Sequence, residues 1–181
     1  FTHTPVRISI IGGSLGARAL NELVPLALKK FTDDSILVTH QCGKGNSDKV
    51  KALYESASFK VEATDFIDNM DALYANTDLI ICRAGALTVA ETSTAGIPAI
   101  FVPLPTAVDD HQTKNASVLA KAGAAFVCKQ SSLSADSLYD LVKSLVDDRE
   151  KLAFMSAKAY ECAITDATER AVKIIESVVK D

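Results

Sequence analysis

Two glycine-containing turns hold the residues of this chain that are best suited to bind an anion. The first turn holds Gly12, Gly13 and Gly16, the second holds Gly85, and each follows a short apolar segment. Backbone N–H groups at a helix start attract phosphate together with the positive end of the helix macrodipole, and glycine lets a ligand approach the main chain. Two such turns in one short chain therefore predict a ligand that carries a diphosphate.

The spacing within these turns disfavours the most familiar nucleotide ligands. The dinucleotide fingerprint requires a second glycine where Ser14 stands, and an acidic residue where the second apolar segment ends in His40 and Gln41. The Walker pattern also fails, because Lys44 is followed by Gly45 rather than by Ser or Thr. NAD, FAD and P-loop chemistry are disfavoured, and a nucleotide-diphosphate site of another type remains.

The elements that must position these turns alternate between short apolar strands and amphipathic helices. Strands are predicted at about 6–11, 35–40, 60–62, 79–82, 99–102 and 125–127, and helices at about 17–30, 47–56, 70–76, 87–95, 112–121, 135–145, 149–162 and 167–179. This order predicts an α/β fold with a doubly wound, Rossmann-like parallel sheet of six strands. Its ligand would lie at the carboxyl ends of the strands.

Composition narrows the class of protein. The 181 residues carry a net charge of −4 without a dense basic run, which argues against nucleic acid as a partner. Four widely spaced cysteines predict neither a zinc site nor a disulfide framework, and no apolar run reaches the length of a membrane span. One cytoplasmic domain, 1–181, is expected, and the start at Phe1 suggests an excised piece.

Several motifs, in order, resemble the carboxyl-terminal half of the MurG family of bacterial glycosyltransferases. They are GGSLGARALN (12–21), HQCGKG (40–45), FIDNM (66–70), CRAGALTVAE (82–91), AGIPAIFVP (95–103) and DATER (166–170). The resemblance implies the donor-binding, Rossmann-like half of a GT-B enzyme. That family transfers N-acetylglucosamine from UDP-N-acetylglucosamine to lipid I, forming lipid II for peptidoglycan, on the cytoplasmic face of the membrane.

The resemblance also implies a role for each matching residue. These are Phe66 and Ile67 for the uracil, Glu91 for the ribose, Ser14, Ala86, Leu87 and Thr88 for the phosphates, and His111, Gln112 and Asn115 for the sugar. His111 departs from the family, which usually has Gln there. Glu91, three residues after Thr88, also matches a capping box, and Ser14 also suits a helix N-cap.

Further expectations concern what this chain lacks. The resemblance implies no cofactor, no metal and no catalytic residue on this chain, since the general base and the lipid I site belong to an amino-terminal domain. The helices at about 149–181 are expected to pack back towards that domain. We expect the chain alone to bind UDP-N-acetylglucosamine weakly and not to turn over lipid I.

Two other functions stay open. One is the donor-binding subunit of a split UDP-N-acetylglucosamine transferase of the dolichol pathway, which the run 110–112 suits, although the first glycine turn and DATER favour the MurG family. The other is a non-catalytic nucleotide-sugar-binding module. Among single residues, we interpret His40 and Cys82 as packed core residues and Arg18 as part of a solvated helix face.

Overall fold

Short strands and amphipathic helices alternate along the chain. The computed structural model describes residues 3–13 and 15–179. Its strands are β1 Val6–Ile11, β2 Ile36–Gln41, β3 Lys60–Thr64, β4 Leu79–Cys82, β5 Ala99–Phe101 and β6 Ala125–Val127. Its helices are α1 Arg18–Leu28, α2 Ser47–Leu53, α3 Met70–Ala75, α4 Ala86–Thr94, α5 His111–Lys121, α6 Ala135–Val146, α7 Arg149–Glu161 and α8 Ala167–Val179.

The predicted elements are all present, and the differences lie at their ends. The largest is at α2, which ends at Leu53 instead of near residue 56, while β3 continues to Thr64 instead of ending at 62. Helix and strand ends are where local pattern is weakest, because the terminal backbone groups depend on neighbouring turns.

The six strands form one parallel sheet in the order β3-β2-β1-β4-β5-β6. The chain therefore winds outward from β1 in both directions, which confirms the doubly wound prediction. In register, Ile11 at the end of β1 lies beside Gln41 of β2 and Cys82 of β4. Because these carboxyl ends are level, the loops that follow them meet at one edge, at the switch point between β1 and β4.

Two apolar layers hold the helices on the sheet. Strand residues alternate between them: Ile81 and Ile100 face the layer of α1 and α6, while Cys82 and Phe101 face the layer of α4 and α5. Each fully buried side chain of this size contributes about 1.5–3 kcal/mol. The buried position of Cys82 confirms its interpretation as a core residue.

The two last helices differ in how they pack. Helix α7 buries Leu152, Met155 and Ala159, whereas residues 167–178 of α8 are all exposed. In the part of the chain that the structure describes, no helix is both long enough and apolar enough to cross a membrane.

Candidate functional site

A side chain of β2 supports the first glycine turn. The Gly12 N–H donates to Gln41 Oε1 (3.2 Å), and Gln41 Nε2 donates to the carbonyls of Gly13 (2.8 Å) and Asp65 (3.1 Å). Ser14, predicted to contact phosphate or cap the helix, lies outside the described residues; the residue at the N-cap position of α1 is Ala17. Gln41 thus supports the turn, a role not predicted from the sequence, because the dinucleotide fingerprint concerns only an acidic residue at this strand end.

A close backbone contact joins this turn to the loop after β2. Gly16 (φ 73°) and Gly43 (φ 82°) both adopt left-handed conformations. A Cβ atom on Gly16 would lie 2.1 Å from the Cys42 carbonyl oxygen, and one on Gly43 would lie 2.3 Å from the Gly16 nitrogen. Both positions therefore require glycine for conformation and for space.

The start of α2 is already occupied by a carboxylate of the same chain. Asp65 accepts hydrogen bonds from the backbone N–H groups of Gly45 (2.7 Å), Asn46 (3.1 Å) and Ser47 (2.8 Å). These donors, that of Gly45 first, lower the pKa of Asp65 to about 2. The HQCGKG turn is thus closed to a phosphate, since its donors are satisfied internally.

The start of α4 differs, because nothing within the described residues caps it. Its N-cap is Gly85, which has no side chain, and the N–H groups of Ala86, Leu87 and Thr88 have no acceptor in residues 3–13 and 15–179. Gly85 has an ordinary φ of −61°, and among the described residues a Cβ there would meet only Thr88 Oγ1, at 3.8 Å. Neither backbone conformation nor packing demands this glycine; glycine is a favoured N-cap residue, and it also leaves the main chain accessible to a ligand.

Glu91 lies one turn further along α4 and is exposed. The capping-box interpretation is wrong: Thr88 is the third residue of α4, not its N-cap, and Glu91 Oε2 instead accepts a hydrogen bond from the Tyr74 hydroxyl (2.8 Å). Tyr74 comes from α3, which begins just after the exposed Phe66 and the half-buried Ile67. The helix that contacts Glu91, the predicted ribose residue, is thus the one that follows the predicted uracil segment in the chain.

The predicted sugar contacts also support the loop that precedes α4. Gln112 Oε1 accepts from the N–H groups of Ala84 (3.2 Å) and Leu104 (3.0 Å), and Asn115 Nδ2 donates to the Ala84 carbonyl (3.2 Å). Gln112 Nε2 and Asn115 Oδ1 make no hydrogen bond within the described residues. These two groups are the ones that a ligand could use.

His111 begins α5 and its side chain is exposed. The two residues before it, Asp109 and Asp110, have positive φ angles of 51° and 53°. Non-glycine residues in this conformation are uncommon, although Asp tolerates it better than most. The loop that presents His111 is thus shaped by an unusual backbone, which no sequence pattern indicated.

A cleft of about 750 Å³ opens between α1 and the loops that follow β4, β5 and β6. Its lining includes Gly12, Gly16, Arg18, Arg83, Gln112 and Gln130. Other predicted residues line separate grooves: Ala86 and Asn115 line one of about 230 Å³, and Glu91 lines one of about 540 Å³ between α3 and α4. Gln112, Asn115 and Glu91 therefore line three separate depressions instead of one cavity.

Arg83 places a cation in the large cleft. Its guanidinium donates to the carbonyls of Val102 (2.9 Å) and Pro103 (3.2 Å) and to Gln130 Oε1 (2.8 Å), and burial lowers its pKa. Within the described residues it has no carboxylate partner. Arg83 was not among the predicted site residues, although its position directly after a buried strand is a sequence signal for this edge of the sheet. The exposed Arg18, by contrast, pairs with Glu22 at 2.7 Å, as expected of a solvated helix face.

No metal centre is evident in the part of the chain that the structure covers. Across residues 3–13 and 15–179, no group of three or more His, Cys, Asp or Glu side chains could hold a metal ion.

The sheet order defines a domain of the Rossmann-like class, in which ligands bind at the switch point of the sheet. A family model described as the glycosyltransferase family 28 C-terminal domain matches residues 7–178. The chain belongs to this family.

Two curated proteins are similar to nearly the whole of this chain. The UDP-N-acetylglucosamine--N-acetylmuramyl-(pentapeptide) pyrophosphoryl-undecaprenol N-acetylglucosamine transferase of Thiobacillus denitrificans is 49% identical over 177 residues, which are 97% of this chain and 48% of that protein. The enzyme of the same name from Tolumonas auensis is 49% identical over 179 residues, 98% of this chain and 50% of that protein. The chain thus spans about half the length of the curated relatives it matches.

A solved structure confirms the fold prediction. The crystal structure of Acinetobacter baumannii MurG superposes with a TM-score of 0.91 at 46% identity, covering 96% of this chain and 52% of that one. The resemblance drawn from the motifs is confirmed, and the fold is that of one half of a GT-B glycosyltransferase.

Proposed function

We propose that this chain is the donor-binding half of an inverting N-acetylglucosaminyltransferase that uses UDP-N-acetylglucosamine and lipid I to make lipid II for peptidoglycan. The observation that carries the proposal is the start of α4, which no described residue caps, with Glu91 one turn further on, in a chain 49% identical to a curated N-acetylglucosamine transferase. Free N–H donors and a carboxylate suit a diphosphate and a ribose respectively.

The proposed contacts come from the loops and helices that follow β3, β4 and β5. Phe66 and the Ile67 backbone meet the uracil, Glu91 accepts from the ribose hydroxyls, and Ala86, Leu87 and Thr88 donate to the phosphates. Ser14 is proposed as a further phosphate contact. The amide nitrogen of Gln112 and the amide oxygen of Asn115 pair with sugar hydroxyls, and His111 lies beside them at the start of α5.

Chemically, the open helix start stabilises the leaving group. Negative charge grows on the diphosphate as the C1–oxygen bond breaks, and fixed N–H donors can stabilise it where it develops. We propose that the chain needs neither metal nor cofactor for this step, and that it supplies no catalytic residue. The general base that activates the acceptor hydroxyl would come from a further domain.

That further domain is the second part of the proposal. The curated relatives are about twice as long as this chain, and α8 presents Val172, Ile174, Ile175 and Val178 to solvent. We infer that the helices at 149–181 brace an amino-terminal acceptor domain, with α8 packing against it. The complete enzyme would bind lipid I through that domain, at the cytoplasmic face of the membrane.

Calorimetric titration tests the donor site directly. The chain is titrated with UDP-N-acetylglucosamine, UDP-glucose and NAD, and the titrations are repeated with Glu91→Ala and with Glu150→Ala, an exposed glutamate of α7. We expect selective UDP-N-acetylglucosamine binding that weakens about tenfold or more in Glu91→Ala, since a hydrogen bond to a charged group contributes about 1.5–3 kcal/mol. Glu150→Ala should bind like the wild type.

Two results would contradict the proposal. Binding of NAD, or equal affinity for all nucleotides, would return the chain to a general Rossmann-like class. Transfer of N-acetylglucosamine to lipid I by the chain alone would show that the acceptor site and the base are on it. We expect no such transfer.

A further inference from the structure

A hydrogen bond between two helices fixes the carboxylate of Glu91. The Tyr74 hydroxyl of α3 donates to Glu91 Oε2 of α4 at 2.8 Å, and this is the only hydrogen bond of the Glu91 side chain within the described residues. An exposed glutamate otherwise samples several rotamers, and ordering such a side chain costs about 1.5–2 kcal/mol. A carboxylate already held in place avoids part of that cost when a ligand binds.

Tyr74 is itself held firmly enough to act as a support. Its ring packs against the apolar layer of α4 and α5, and the neighbouring Leu73 is buried. Helix α3 is capped at its start by Asn69 Oδ1, which accepts from the Ala72 N–H (2.9 Å). Burial and then the contact with Glu91 raise the pKa of Tyr74, so that the phenol keeps its proton and stays the donor.

The contact leaves the other side of the carboxylate available. A carboxylate has about four lone-pair sites on its two oxygens, and one phenol occupies a single site on Oε2. Oε1 can therefore still accept from a neighbouring pair of hydroxyls. Because α3 directly follows the segment of Phe66 and Ile67, the same short piece of chain presents the base contacts and orients the ribose contact.

We propose that Tyr74 is a positioning residue, which holds Glu91 in the orientation that accepts hydrogen bonds from the ribose hydroxyls of a uridine nucleotide. The inference rests on the proposed donor site and deepens it. Tyr74 acts through Glu91 and needs no contact with the nucleotide.

A double-mutant cycle tests the inference. UDP binding is measured by calorimetry for the wild type, Tyr74→Phe, Glu91→Ala and the double variant, with Tyr160→Phe, an exposed tyrosine, as control. Tyr74→Phe should weaken UDP binding about 3–10-fold, which corresponds to one net hydrogen bond of about 0.5–1.5 kcal/mol. In the Glu91→Ala background the same change should have no further effect, and Tyr160→Phe should bind normally.

A second ligand separates positioning from a general structural effect. 2′,3′-Dideoxyuridine diphosphate lacks both ribose hydroxyls, so the loss caused by Tyr74→Phe should disappear with it. A tyrosine that merely supports the fold would weaken both nucleotides equally, and that result would overturn the inference.

The outcomes distinguish this inference from the donor-site proposal. If Glu91→Ala weakens UDP binding and Tyr74→Phe does not, Tyr74 has no positioning role and the donor site stands. Additive losses in the cycle would lead to the same conclusion. If Glu91→Ala binds UDP as tightly as the wild type does, the ribose assignment fails and the role of Tyr74 fails with it.

Discussion

His40 shows at the scale of one residue how a site-like motif can be structural. Its side chain is buried, with Nδ1 3.1 Å from the Tyr54 hydroxyl and Nε2 3.1 Å from Asn21 Oδ1. Asn21 in turn donates to the Cys42 carbonyl (2.8 Å), the group that packs against Gly16. Through Asn21, His40 therefore supports the backbone contact between the first glycine turn and the loop after β2. Its burial confirms its interpretation as a packed residue.

This burial predicts a pH dependence of stability. Desolvation lowers the pKa of folded His40 from 6.5 to about 4, so the unfolded chain binds a proton more readily in that interval. Stability from the neutral side chain is complete above about pH 6.5 and is lost as the pH falls towards 4, by up to about 3 kcal/mol. Denaturant unfolding across this range should show a steeper decline for the wild type than for His40→Gln.

An equal pH slope in His40→Gln and the wild type would assign the decline to other groups.

At the scale of elements, three helix starts at one sheet edge differ in whether another side chain of the protein already bonds to their backbone groups. The α2 start is satisfied by Asp65, the α1 turn is braced by Gln41, and the α4 start is left open. Local sequence cannot distinguish them, because each is a glycine-containing turn after a strand. The carboxylate that closes the α2 start comes from the end of β3, about twenty residues further along the chain.

The contact between the first two turns predicts a large effect of a small substitution. Gly16→Ala introduces a Cβ atom 2.1 Å from the Cys42 carbonyl oxygen, in addition to the strain of its positive φ. Gly45→Ala has a similar φ of 76° but meets no atom within 4 Å. We expect Gly45→Ala to lower the free energy of unfolding by about 1 kcal/mol, and Gly16→Ala by at least about 2 kcal/mol more.

Denaturant unfolding of both variants measures this difference. Equal losses of unfolding free energy in the two variants would mean that the two loops can move apart without a cost in free energy. UDP affinity of Gly16→Ala should also fall, since the first turn moves with Gly16.

At the scale of the whole molecule, the apolar face of α8 is exposed, because no other part of the described chain covers it. Four large apolar side chains, Val172, Ile174, Ile175 and Val178, are each 47–71% exposed. Such a patch marks an interaction surface in a soluble domain. In the proposed complete enzyme the acceptor domain would cover it.

The isolated chain should therefore self-associate through α8. Sedimentation at increasing concentration should show association that weakens about tenfold in Ile175→Asn, because burying one such side chain contributes about 1.5–3 kcal/mol. Ser177→Asn, on the polar face of the same helix, should associate like the wild type. A chain that stays monomeric at every concentration would contradict this expectation.

The sequence by itself determined the type and order of the elements, the parallel sheet and the location of the glycine turns. These depend on local periodicity and on glycine and proline positions, which are properties of short segments. It also indicated Glu91 and the α4 start through motifs whose residues lie within ten positions of one another.

Only the tertiary structure decided which of these groups remain available. Asp65 closes the α2 start, Gln41 supports the first turn, Gln112 supports a loop as well as lining the cleft, and Tyr74 of another helix donates to Glu91. Each of these contacts joins residues eight or more positions apart, brought together by the register of the strands and the packing of helices on them. Hydrogen-bond satisfaction is a property of that packing, so no local pattern could predict it.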